Sequence, residues 1–71
     1  MMRYLMVIEE GPGNLSGYVP DLPGCVATGS DRDELRANMR KAIRMHIAGL
    51  EEDGLPVPEP TPSSAELLEV A

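Results

Sequence analysis

The sequence predicts an α+β fold: strand-strand-strand-helix-strand, a four-stranded mixed sheet of order 3-2-1-4 with one helix packed on one face. Three observations predict it. Short runs of strand formers alternate with Pro-Gly breaks in the N-terminal half. A long amphipathic stretch follows, opened by acids and closed before a glycine. Beyond a proline-rich passage, a second short alternating run supplies the last strand.

Residues 3–9 (Arg-Tyr-Leu-Met-Val-Ile-Glu) read as the first strand. Tyr4, Met6 and Ile8 fall on one face, and Leu5 and Val7 on the other. An apolar middle on both faces suits a central strand covered twice. Gly11-Pro12-Gly13-Asn14 then turns the chain back. Residues 15–19 and 25–28 are the second and third strands. Between them Pro20-Asp21-Leu22-Pro23-Gly24 removes two backbone donors and adds one flexible residue, which makes a bend.

Gly29 and Ser30 lead into the helix. Asp31 followed by Glu34 fits a capping box, in which Asp31 accepts from first-turn amides and Glu34 reaches back to the Asp31 amide. Asp33 adds a third acid where the helix dipole favours it. Leu35, Met39, Ala42, Ile43, His46 and Leu50 keep helical spacing and define the buried stripe. The helix ends before Gly54, its C′ residue. Arg36, Arg40 and Arg44 recur every four residues on the opposite side and read as a solvated face. Prolines at 56, 58, 60 and 62 enforce an extended path without internal hydrogen bonds. That path carries the chain back along the sheet or, alternatively, offers a ligand for an aromatic groove. Residues 64–70 alternate, with Leu67 on one face and Leu68 and Val70 on the other, as the fourth strand. A right-handed crossover lays it parallel to the first.

A chain of 71 residues holds one domain, residues 1–71. Such a chain buries only about 60% of the surface its unfolded form exposes. It has no Trp, no Phe and a single Cys, so no internal disulfide supports it. Small scaffolds then lean on a metal or a partner subunit. The expectation is a homo-oligomer, at least a dimer, that buries the bare sheet face bearing Leu5 and Val7.

The net charge of −6 argues against general phosphate binding, which needs clustered Lys and Arg. It suits a basic partner protein, or serves solubility alone. No export signal opens the chain and no apolar run has the length of a membrane span, so the cytoplasm is expected.

Catalytic signatures are missing: no phosphate-binding Gly-Lys-Ser/Thr loop, no dinucleotide fingerprint, no paired Cys for zinc. His46 sits mid-stripe and reads as a packed or interface residue. Cys25 follows Pro-Gly at a strand start and reads as a buried structural thiol. The methionines fall mostly at core positions and read as packing. No cofactor, metal or catalytic residue is expected, and the chain does not read as an enzyme.

The run Gly17-Tyr18-Val19-Pro20-Asp21-Leu22-Pro23-Gly24-Cys25-Val26-Ala27-Thr28-Gly29, the acid-rich helix start and the exit Gly54-Leu55-Pro56-Val57-Pro58-Glu59-Pro60 resemble the HicB antitoxin family. The likeness runs from Tyr4 to Val70. It implies a partial ribonuclease-H-like fold with the same element order, and direct binding to a HicA-type toxin. Such toxins are small basic ribonucleases of double-stranded-RNA-binding fold, whose messenger-RNA cleavage the antitoxin suppresses. Many members add a C-terminal DNA-binding segment; this sequence ends at Ala71, so operator binding is not carried over. The ribonuclease-H likeness does not extend to chemistry. That reaction needs carboxylates converging on two metals from the middle of the first strand. Here the middle is Leu5-Met6-Val7, with Glu9 and Glu10 only at the end. Glu34, Glu66 and Glu69 have ordinary roles as a helix cap and solvent-facing strand residues. Two function classes remain: an antitoxin that masks a ribonuclease, and a self-associating regulatory or small-ligand-binding domain without a toxin. For the first, the acids least committed to local structure, Glu9, Glu10 and Asp21, are the candidate partner-binding residues.

Overall fold

A computed structural model describes residues 2–71. Its elements are β1 (Val7–Gly11), β2 (Asn14–Tyr18), β3 (Val26–Gly29) and α1 (Arg32–Glu52). The strands form an antiparallel sheet of order β1-β2-β3 with the helix on one face. The α+β class and the three-strand meander agree with the sequence reading.

Pro-Gly pairs set both connections of the meander. Pro12-Gly13 fills the turn between Gly11 and Asn14, which face each other in the register. In the longer bend, Leu22 donates its amide to the Val19 carbonyl and Cys25 donates to Leu22, each at 3.0 Å. These are two successive turns with Pro20 and Pro23 in their first central position, where the ring presets φ. Gly13 and Gly24 take φ values of 78° and 87° in the second, which a side chain would resist. Val19 then donates to Cys25 at 3.1 Å and closes the bend. Folded this way, the bend is core rather than surface. Leu22 is 0% exposed, and Val19, Leu22 and Cys25 pack with Met39 of the helix.

The helix approaches the sheet where the sheet is smooth. Gly17, Ala27 and Gly29 face it, and a Cβ on Gly29 would lie 2.5 Å from the Leu35 amide nitrogen. Asp31 is the N-cap, accepting from the Glu34 amide at 2.8 Å. The return bond differs from the expected one: Glu34 Oε1 accepts from the Ser30 amide at 2.9 Å, one residue before the cap. At the other end, Leu55 donates to the Leu50 carbonyl (2.9 Å) and Gly54, with φ 68°, donates to Glu51 (3.1 Å). This pair of bonds is the Schellman ending, and it places Gly54 at C′ as read from the sequence. Leu35 and Met39 are buried; Ala42, Ile43, His46 and Leu50 are half-buried along the same stripe, joined by Ile47.

Two expectations are corrected. The first strand begins at Val7, not at residue 3, and pairs only with β2, so it lies at an edge and not at the centre. The cause is local: β2 turns into the proline bend after Tyr18, so residues 3–6 have no neighbour to pair with. The fourth strand and the order 3-2-1-4 are not shown among the described residues, where the sheet has three strands. Residues 64–70 form an exposed arm with no ladder partner among the described residues, so nothing holds them as a strand. The proline-rich passage does carry the chain back over the body. Tyr4 donates its hydroxyl to the Pro58 carbonyl at 2.5 Å. Asp21 accepts from the Thr61 amide and hydroxyl, both at 2.8 Å.

Candidate functional site

The sheet face away from the helix follows from register. Met6 packs toward the helix, so Leu5 and Val7 lie on the other face. Val7 stands opposite Tyr18, and Tyr18 opposite Val26, which makes one apolar row across all three strands. Leu5 and Val7 are half-buried, while Tyr18 and Val26 are 42% and 65% exposed. Sequence reasoning named Leu5 and Val7 but missed Tyr18 and Val26. The signal was present: a two-residue Pro12-Gly13 turn fixes the register that sets Val7 against Tyr18.

Glu9 and Glu10 are exposed on β1 beside the first turn. Asp21 lies in the second connection. In a meander successive connections fall at opposite ends of the sheet, so these three acids do not form one patch. Asp21 is also engaged: the Thr61 amide, then the Thr61 hydroxyl, stabilise its carboxylate and lower its pKa below the ordinary value. Partial burial raises the Tyr4 pKa, and the negative charges of Asp21 and Glu59 push it the same way. Tyr4 therefore keeps its proton and its bond to Pro58. A third acidic group was legible in the sequence and not singled out. Glu51, Glu52 and Asp53 end the helix with no basic residue in the last turn, so side-chain charge adds to the negative end of the dipole.

The remaining candidates are packing residues. Burial raises the Cys25 pKa, and its Sγ lies 3.9 Å from Met39 Sδ inside the core. That environment disfavours the thiolate a nucleophile needs. His46 is half-buried in the helix stripe. Arg36 pairs with Asp33 at 2.9 Å on the surface. Arg40 and Arg44 depart from the sequence reading. They flank the apolar stripe rather than oppose it, and with Arg3, Tyr4, Ile43 and Ile47 they line a groove beside the N-terminal segment. Among the described residues no group of three or more His, Cys, Asp or Glu could hold a metal ion. No helix of the described residues is long and apolar enough to cross a membrane.

Taken together, these features define a small α+β domain whose distinctive surfaces are an apolar sheet face and separate acidic ends. The chain belongs to the family described as HicB_like antitoxin of bacterial toxin-antitoxin systems, whose model matches residues 4–69. It is similar to an uncharacterized 14.9 kDa protein of the rep-hol intergenic region of Haemophilus phage HP1, at 36% identity over 61 residues. That match covers 86% of this chain and 46% of the phage protein, so the chain spans about half of that relative's length. It is also similar to a UPF0150 protein of Helicobacter pylori strain J99, at 37% identity over 49 residues, covering 69% of this chain and 68% of the relative. No solved structure matches the chain significantly. Family membership supports an antitoxin role.

Proposed function

We propose that this domain is a non-enzymatic antitoxin that neutralises a HicA-type messenger-RNA-cleaving toxin by binding it directly in the cytoplasm. The observation that carries the reading is the family match over residues 4–69 of a chain with net charge −6. A toxin that cuts RNA holds phosphates on a basic surface, and an acidic antitoxin competes for that surface. Glu9 and Glu10 steer the encounter, because among the described residues no side-chain hydrogen bond or ion pair commits them. Asp21, held by Thr61, keeps its charge and adds to the field from the other end of the sheet. The domain acts as a homo-oligomer in which the apolar face around Leu5 and Val7 is covered. The fourth strand of the 3-2-1-4, ribonuclease-H-like sheet joins β1 when that oligomer forms.

Binding to a purified HicA-type toxin tests the reading, by calorimetry and stopped-flow at low and high salt. Exposed rim charges act mainly on association. Glu9→Gln/Glu10→Gln is expected to slow association and flatten its salt dependence while dissociation stays nearly unchanged. Salt-independent binding, or no binding at micromolar concentration, would refute it.

A further inference from the structure

We propose that residues 65–70 are a strand exchanged between two copies of this chain, each copy's arm pairing with the free edge of the other's N-terminal segment. This rests on the reading above that a fourth strand joins β1, and names where that strand comes from.

The arm itself argues for a partner. Leu67, Leu68 and Val70 are 99%, 75% and 94% exposed. The chain has a radius of gyration of 13.6 Å, where a compact chain of this length has roughly 11 Å. Its longest dimension is 47 Å against 26 and 20 Å for the others. A chain this small is ill placed to leave three large apolar side chains in water.

The receiving edge is equally incomplete. The backbone of residues 2–6 makes no hydrogen bond to any other described backbone group. A groove of about 840 Å³ separates residues 2–5 from residues 59–64, two stretches that share no backbone hydrogen bond. What such an edge lacks is an extended strand, whose amides and carbonyls would satisfy it.

Side-chain chemistry matches on both faces of the incoming strand. In an extended arm Glu66, Leu68 and Val70 point one way, and Ala65, Leu67 and Glu69 the other, so each face joins apolar surface to one acid. The edge offers the complement on each side. Toward the helix, Ile43 and Ile47 are rimmed by Arg40 and Arg44. Arg3 borders this helix-side groove and also, with Leu5, lines the larger one. None of these three arginines has an ion-pair partner among the described residues. Three free arginines around one edge of an acidic chain, and two free glutamates on its apolar arm, are complementary charges.

The second copy is the occupant because of where the arm starts. Ser63 and Ser64 lie on the rim of the groove. To enter it, the chain's own arm would have to reverse at Ser63-Ser64, without the Gly or Asn that tight reversals favour. A neighbour's arm enters extended, and a two-fold axis makes the exchange reciprocal.

The test uses charge reversal in two separate chains, with circular dichroism confirming that each folds. Glu66→Arg/Glu69→Arg and Arg40→Glu/Arg44→Glu should each weaken self-association on the order of tenfold, since each sets like charges together. Mixed one to one, they should form a heterodimer, because each arm then meets charges of opposite sign at positions 40 and 44 on the helix side of its partner's edge. A chain ending at Ser64 should remain folded and be monomeric by light scattering, while the parent is a dimer. A monomeric parent would overturn the proposal. So would a truncated chain that still dimerises, which points to the bare sheet face instead. A mixture that recovers no association would show the arm folding back on its own chain and overturn it as well. Toxin binding is measured separately: a chain that exchanges arms but binds no toxin overturns the antitoxin reading and leaves the exchange standing.

Discussion

Replacing Gly29 with Ala places a methyl group against the backbone at the start of the helix. The new Cβ would stand 2.5 Å from the Leu35 nitrogen, 2.9 Å from its Cα and 3.1 Å from the Glu34 carbonyl carbon. All three are main-chain atoms, so no side chain can swing aside. Restoring ordinary contact at about 3.5 Å requires the first turn to retreat by roughly 1 Å. That retreat strains the Asn38 bond to the Thr28 carbonyl, now 2.8 Å, and loosens Leu35, which is 0% exposed. Overpacking of this kind costs about 1–3 kcal/mol, and a strained hydrogen bond adds up to about 1. We expect a loss of about 2–3 kcal/mol, from a total of roughly 4–10 for a domain this size. The thermal midpoint should fall by about 10–20 °C. Urea unfolding followed by circular dichroism measures the change, with an unaltered slope marking an effect on stability alone. Gly49→Ala is the matched control. It lies in the helix with nothing within 4 Å of the added methyl, and should stabilise by about 0.5–1 kcal/mol. A Gly29→Ala chain within about 0.5 kcal/mol of the parent would refute the packing argument.

Two further perturbations test the ends of the fold. Asp31→Ala removes the acceptor of the Glu34 amide and should cost about 1 kcal/mol in the same urea assay; an unchanged midpoint would mean that the cap contributes nothing. Asp21→Asn tests the clasp on Thr61 through pH. The folded Asp21 pKa is depressed, so its stabilisation is present above the ordinary carboxylate range and lost as pH falls through the depressed value. The parent should lose stability on acidification more steeply than the variant, and identical acid limbs would show that the clasp does not couple to folding.

Much of this protein was legible before any coordinates. Local chemistry governs the helix and the turns, and local chemistry is written in consecutive residues. Asp31 and Glu34 mark a start because side-chain oxygens must meet orphan amides there, and Gly54 marks an end because the chain must take positive φ. The Pro-Asp-Leu-Pro-Gly-Cys run, with its neighbours, carried the family. What sequence could not decide was everything that depends on a distant partner. Residues 3–6 have strand composition, yet a strand needs a neighbour, and β2 bends away at Tyr18. Residues 64–70 alternate like a strand for the same reason and stay unpaired within one chain. Glu9, Glu10 and Asp21 looked equivalent as uncommitted acids until topology put two connections at opposite ends and Thr61 closed on Asp21. Even the Arg40 and Arg44 flank became a groove only when the N-terminal segment lay beside it. Helical hydrogen bonds join residues four apart, whereas strand pairing and surface patches join residues that only the folded chain brings together.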